Sequence, residues 1–451
     1  MTQLPAISER SVLFVAYHFP PMRSAGVERS SKFARYLPEF GYAPKVLSTA
    51  AFGAEAQDGV ARAWEPIGLY RRLRNPAARA DPQAASRTRT PGPNAGWARA
   101  LRRMLFVPDG QITWLPGAAW SALRLLRRHH TDLIYTTSPP ASSHLLGRFL
   151  KAQTGLPWVA DFRDAWIYDP LDPALLTMPY RREFERRLEA SVLAEADVIV
   201  TATRISGADL RQRYPKQAHK VRIVTNGFDP ADGIPLPEGL VIDDGTRMGP
   251  EQSQVESEPE AAPLPGGPLR LVHTGSFTYS HPQRTPLPLL SALRRLVSLE
   301  PVWAERLQLT LVGELSPDEQ TAAAGIARVV GAVDRATALG FQRRADVLLV
   351  VDHLRPWPAS NAPGKLFEYL ATGKPVLALC GPGEVERMVT ELGAGLCVAP
   401  DDIDAIDSAL RDLWLQNEQG QLPQVTASLA PFHRRELTRQ LAACFDEVLR
   451  K

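Results

Sequence analysis

The chain has 451 residues, 44% hydrophobic and 22% charged, the composition of a soluble globular protein with room for two hydrophobic cores. A formal net charge of +3 is too small to point to nucleic acid as a partner, and the three cysteines Cys380, Cys397 and Cys444 lack metal-ligand spacing, which fits a reducing compartment and neither a disulfide framework nor a zinc site. No run approaches the roughly 18 apolar residues of a membrane span, and the start "MTQLPAISER" lacks the basic-then-apolar pattern of a secretion signal, so the expected location is cytoplasmic with any membrane contact peripheral.

The first strand-like run, "VLFVAY", ends at His18 and two prolines, and a helix then begins through Gly26. Phe33, Tyr36, Leu37 and Phe40 supply its apolar stripe. "PKVLST" follows as a second strand. Arginines then crowd the span 62–103, which interrupts the alternation and reads as an insertion with a loop around Pro82 to Pro93. At its end Trp97, Leu101, Met104 and Leu105 form a helical stripe with Arg99, Arg102 and Arg103 off it, a basic amphipathic helix that could lie on an anionic membrane or pack on its own domain.

"DLIYTTS", "PWVADF", "DVIVTAT" and "VRIVTNG" continue the strand series. His144, in "SSHLLG", reads either as a chemical group or as a histidine on a helix face at the domain surface. Asp161, Arg163 and Asp164 follow a buried-looking strand: a carboxylate there could orient an attacking hydroxyl and an arginine could hold an anionic acceptor. A structural Asp–Arg pair fixing the loop is the alternative, and His18 has the same two readings.

Residues 233–267 are rich in Pro, Gly and Glu and read as a flexible junction between domains 1–232 and 268–430. Beyond it the scheme repeats with "LRLVHTG", "LQLTLVG", "ARVVGAV", "DVLLVV", "KPVLAL" and "AGLCVA". The predicted fold class is therefore α/β, with two doubly wound Rossmann-like domains facing a cleft. A closing helix within 431–451 carries Leu437, Leu441, Cys444 and Val448 at helical spacing.

Ligands of such sheets bind where strands lead into helix starts. In "VHTGSFTYSHPQR" a strand enters Gly275 and Ser276, a turn where backbone can approach a phosphate, and Arg284 lies near. In "APGKLFEYLATGKPVLAL", Pro363 and Gly364 precede a helix whose Leu366 and Leu370 face the core. Free N–H groups, the helix dipole and the Lys365 ammonium suit a diphosphate, and Glu368, three residues on, suits the two hydroxyls of a ribose. A surface Lys–Glu pair on a capped helix is the competing reading.

Taken in order, "FVAYHFPPMRSAGVERSSKFARYL", "DLIYTTSPPASSHLLG", "PWVADFRDAW", "VTNGFD", "VHTGSF" and "APGKLFEYLATGKPVLAL" resemble glycosyltransferases of family 4, which have the GT-B fold; the likeness covers nearly the whole chain. The resemblance is to bacterial enzymes of surface-polysaccharide and lipopolysaccharide assembly. It implies transfer of a sugar from a nucleotide-diphosphate donor to a glycan or lipid-linked glycan hydroxyl, with retention and without a required metal or other cofactor. It implies a donor held by the second domain, an acceptor held by the first, and possible contact with the inner face of an anionic membrane. Residue by residue, it assigns Glu368 to the ribose and Gly364, Lys365 and Leu366 to the diphosphate turn. Gly26 matches the loop that approaches the donor from the first domain, while Gly275, Ser276 and Arg284 match the other phosphate loop loosely. Beside these, the residues themselves offer Asp164, His144 and Lys365 as the candidate catalytic set, with His18, Asp161 and Arg163 on the acceptor side.

Two positions depart from the family pattern. Ser360, followed by Asn361, stands where relatives carry a glutamate that contacts the donor sugar, and Thr137-Ser138-Pro139 replaces a histidine, for which His144 is the substitute. A nucleotide-sugar epimerase of the same fold and an inactive donor-binding partner of a glycan-assembly complex are the alternative functions.

Overall fold

The computed structural model describes residues 10–22, 25–52, 59–66, 106–171, 174–234, 267–425 and 427–450. Its contacts divide the chain into two compact units, one of residues 1–226 with 434–451, the other of residues 227–433. The first break thus falls after Asn226, six residues before the expected boundary at 232, because the Phe228 backbone N–H donates to Phe432 O within the second unit.

The first unit is built on a parallel sheet of seven strands: β1 (Arg10–Ala16), β2 (Tyr42–Thr49), β3 (Val60–Ala63), β4 (Leu133–Ser138), β5 (Trp158–Phe162), β6 (Val198–Thr201) and β7 (Val221–Ile223). Their order is β3-β2-β1-β4-β5-β6-β7, so the direction of winding reverses between β1 and β4, with Val12 beside Leu133 and Ala16 beside Thr137. Helices cover both faces, which is why these strands are continuous apolar runs rather than alternating ones; β1 is buried at every position after Arg10. β3, "VARA", was not anticipated: four residues with an arginine in the middle carry little β signal. It also takes Arg62 out of the insertion expected over 62–103. The arginine-rich remainder, including the helix around Trp97, and almost all of the 233–267 junction lie outside the described residues.

The closing helix, Arg434–Leu449, belongs to this first unit. Leu437, Leu441, Cys444 and Val448 are buried in one cluster with Val12, Phe14, Phe33 and Tyr135. Its polar edge is tied down by Tyr42 Oη to Asp446 at 2.7 Å and by Arg222 to Glu447 at 2.7 Å.

The second unit carries β8 (Leu269–Thr274), β9 (Leu307–Val312), β10 (Ala327–Gly331), β11 (Val347–Val351), β12 (Val376–Leu379) and β13 (Gly395–Val398), ordered β10-β9-β8-β11-β12-β13 and all parallel. Winding reverses between β8 and β11. The chain leaves β8 at Gly275 and β11 at Asp352, so the crevice of this sheet opens between those two points, where a doubly wound sheet binds ligands.

Candidate active site

In the second unit, β8 ends in His273 and Thr274 and turns at Gly275, whose φ of +108° is open to glycine and strained for other residues. The Gly275 N–H donates to Val312 O at the end of β9 (2.7 Å), and a Cβ on Gly275 would stand 3.0 Å from Lys365 Nζ. Lys365 reaches that point from the first turn of the helix Gly364–Ala371. The helix is anchored by buried Leu366, Phe367, Tyr369 and Leu370, and no side chain caps its start at Pro363.

Lys365 Nζ donates to Thr274 O at 2.8 Å and lies 3.1 Å from His273 Nε2. Burial, with Arg284 adding like charge, pushes its pKa down to about 7 against the opposing pull of Glu368 and Asp352. Lys365 and Glu368 diverge: the Glu368 carboxylate turns to Arg335 at 2.9 Å, which also meets Asp232 at 3.3 Å. Arg335 opens the helix Arg335–Arg344, so the ribose candidate arrives already paired with a guanidinium.

At the end of β11, Asp352 gathers cations. Arg284 Nη2 donates to it at 3.1 Å and Arg355 Nη1 at 2.9 Å, while Arg355 Nη2 donates to Asn361 Oδ1 at 3.0 Å. Burial works against ionisation here, but His353, Arg355 and Arg284 hold this carboxyl far below the usual range. His353 stacks on His281 with ring centroids 4.0 Å apart, and burial and His353 push the His281 pKa down to about 4. Ser360 is buried, one residue before Asn361. Its neighbour Ala359 is pinned by backbone bonds to Pro382 and Glu384, while Ser276 contributes its carbonyl to the hydroxyl of Ser280.

The first unit presents β5 and the end of β1 at its own crevice. Asp161 does not face solvent: its carboxylate is fully buried and accepts from Arg29, from Tyr135 Oη at 2.7 Å and from Thr137 Oγ1 at 3.0 Å. An acceptor role is therefore corrected to a structural one. His144 is likewise interior, neither catalytic at a cleft nor on a surface. Its Nδ1 is 2.8 Å from Thr136 Oγ1, its ring packs 4.3 Å from that of Phe162, and burial pushes its pKa down to about 3.

Arg163 lies over Gly26, donating to Gly26 O at 2.6 Å, and a Cβ there would come within 2.7 Å of its guanidinium. The space beside the glycine is held by a side chain of the same unit. Asp164, 3.5 Å from Arg163 Nε, keeps 30% of its side chain in solvent and is the accessible carboxylate after β5. His18 is half-buried at the end of β1, with Nδ1 3.2 Å from Met22 Sδ.

Two family models match the chain, "Glycosyltransferase Family 4" over residues 26–232 and "Glycosyl transferases group 1" over residues 268–416. The chain belongs to the family-4 glycosyltransferases. Its fold is GT-B, and solved structures share it at low identity. Sucrose-phosphate synthase from Thermosynechococcus elongatus is 14% identical at a TM-score of 0.61, with 97% of this chain and 98% of that one covered. WaaG, a glycosyltransferase involved in lipopolysaccharide biosynthesis, is 14% identical at 0.54 (97% and 99%). The UDP-GlcNAc 2-epimerase from Neisseria meningitidis is 14% identical at 0.51 (97% and 100%). No curated protein matches the sequence.

In this glycosyltransferase the structure brings Gly275, Arg284, Ser360, Gly364, Lys365 and Glu368 around one crevice of the second unit, with Leu366 turned into its core. It adds groups that sequence reasoning missed: His273, Arg335, Asp352 and Arg355 there, and Arg29 and Glu65 in the first unit. Glu65 is buried where β1 and β2 end, accepting from Tyr17 Oη at 2.8 Å and Thr49 Oγ1 at 3.2 Å. Arg29 had a readable signal, since it sits four residues before Phe33 on the apolar stripe of its helix. Among the described residues no group of three or more His, Cys, Asp or Glu is placed to hold a metal ion, and no helix is long and apolar enough to cross a membrane.

Proposed function

We propose that this glycosyltransferase moves a sugar from a nucleoside-diphosphate donor to an acceptor hydroxyl with retention of configuration and without a required metal. Assembly of bacterial surface polysaccharide or glycoconjugate at the cytoplasmic side of the membrane is the process we assign it to. The observation that carries the reading is Lys365, held against β8 at the uncapped start of the helix Gly364–Ala371 and next to the Gly275 turn. Backbone N–H groups of that helix start, the Lys365 ammonium and Arg284 supply positive charge where a leaving diphosphate develops negative charge. Glu368 keeps acceptor capacity for ribose hydroxyls beyond its bond to Arg335.

The leaving phosphate takes up the acceptor proton in this reading. On the acceptor side Asp164 is the carboxylate in reach of solvent, with His18 near the end of β1. The likeness to WaaG supports a glycan or lipid-linked glycan as acceptor, by analogy of fold only.

Titration calorimetry with UDP, GDP and dTDP tests the donor site: Lys365→Ala and Glu368→Ala should each weaken binding of the nucleotide that the wild type takes. Unchanged binding in both variants refutes the assignment. Product analysis with the matching nucleotide sugars, with and without EDTA, reads transfer, anomeric outcome and metal need; isomerised donor without transfer would favour epimerase chemistry. Flotation with anionic and neutral liposomes reads membrane contact.

A further inference from the structure

Lys365 is the group on which the donor site turns, and an ammonium has three hydrogens to place. One goes to Thr274 O at 2.8 Å, and a second points at His273 Nε2, 3.1 Å away. The state of His273 decides whether that second contact is attractive. Its Nδ1 is 2.8 Å from Leu349 O, which can only accept, so Nδ1 carries the ring hydrogen and Nε2 presents a bare lone pair. The ring is completely buried and stacked on Phe277, with centroids 4.1 Å apart and planes inclined by 20°, so it has no freedom to turn. Burial and the Lys365 charge keep it neutral, its pKa well below the ordinary value.

We propose that His273 is a positioning residue for donor binding: its Nε2 lone pair holds one Lys365 hydrogen, and with Thr274 O holding a second, the third is aimed at the diphosphate. The proposal rests on the reading of Lys365 as the diphosphate ligand. A lysine side chain otherwise wanders over many rotamers, and two fixed acceptors at the end of β8 remove that freedom before the ligand arrives. The charged groups around Nζ are Arg284 from the segment after β8, Asp352 from the end of β11 and Glu368 from its own helix. A neutral acceptor bonds the ammonium more strongly than the amine. His273 therefore also keeps Lys365 protonated to higher pH than the rest of this environment would.

The test uses inorganic pyrophosphate, which needs no knowledge of the base or sugar, with calorimetry on the full chain. His273→Phe, which retains an aromatic ring against Phe277, should bind pyrophosphate about tenfold more weakly at pH 7. The wild-type to variant affinity ratio, in which the ligand's own ionisation cancels, should grow from pH 6 to pH 8. His273→Gln, whose amide oxygen can reach the Nε2 position, should recover most of the loss. If Lys365→Ala abolishes binding while His273→Phe keeps wild-type affinity and pH profile, the proposal is overturned and the reading of Lys365 stands. If Lys365→Ala binds like the wild type, both fall. A measurement needing no variant uses the ring nitrogens: nitrogen-15 NMR must show protonated Nδ1 and bare Nε2, and an Nε2–H tautomer overturns the proposal.

Discussion

The Arg29 guanidinium meets the Asp161 carboxylate through two hydrogen bonds of 2.9 and 3.0 Å, and neither side chain touches solvent. The same guanidinium donates to Val224 O at 2.8 Å and Thr225 O at 2.6 Å, so one arginine joins the helix Ala25–Tyr36, β5 and the chain leaving β7. Removing one partner of a buried pair leaves a charge uncompensated, at a cost of about 3–5 kcal/mol. Asp161→Ala should lose stability of that order in urea unfolding.

The pair also sets an acid limb. Burial alone would raise the Asp161 pKa, but Arg29 and the bonds from Tyr135 and Thr137 hold it below its ordinary value. Because the folded-state value is depressed, its contribution is present above the unfolded value near 4 and is lost as pH falls through the folded one. Asp161→Asn should flatten the stability curve in acid, and a curve parallel to wild type would show that Asp161 is not the group responsible.

His144 makes the opposite case of a suspected base. Its folded-state pKa of about 3 lies below the unfolded value near 6.5, so the unfolded chain binds more protons between them. Stability attributable to burying the neutral ring is present above pH 6.5 and falls as pH drops toward 3. His144→Leu should reduce that fall and keep transferase activity within about twofold, where loss of a general base would cost on the order of a hundredfold or more. Initial rates at pH 7 and urea midpoints at pH 7 and pH 5 check both halves.

The sheets were legible because parallel strands buried on both faces leave contiguous aliphatic runs such as "VLLVV", and the helix start at Gly364 because "APGKLFEYL" is local. What escaped depends on residues far apart in the chain. Asp161 after a strand looks like a ligand until Arg29 arrives from 132 positions away, and His273 reads as one residue of an apolar strand until Lys365 comes to it from 92 positions on. Gly26 lies against Arg163, a neighbour 137 positions away in the chain that pattern reading could not supply.

Lys365 should show a trade of stability for function. Its folded-state pKa of about 7 lies below the unfolded value near 10.4, so the unfolded state binds more protons between them and stability rises with pH across that window. The charged form is therefore a strain at neutral pH and below. Lys365→Met should be more stable than wild type at pH 6, by about 1 kcal/mol once solvent access to the crevice is allowed for. The gap should close toward pH 10. Urea unfolding at the two pH values measures it, and a destabilised Lys365→Met at pH 6 would contradict the strain.

Two glycines of the same crevice separate folding from binding. Gly275 has φ +108°, and a Cβ there would press on Lys365 Nζ at 3.0 Å, so Gly275→Ala should both strain the backbone, by about 1–2 kcal/mol, and displace the ammonium. Gly364 opens its helix, and a Cβ on it would meet nothing within 4 Å among the described residues. Gly364→Ala should therefore leave the thermal midpoint unchanged or slightly raised, since alanine is the better helix residue. If the turn is where the donor diphosphate lies close to backbone, the added methyl will still weaken nucleotide binding, by about tenfold for a lost close approach. Thermal unfolding and nucleotide titration on the two variants give the comparison. Wild-type nucleotide affinity in Gly364→Ala would move the diphosphate away from this helix start.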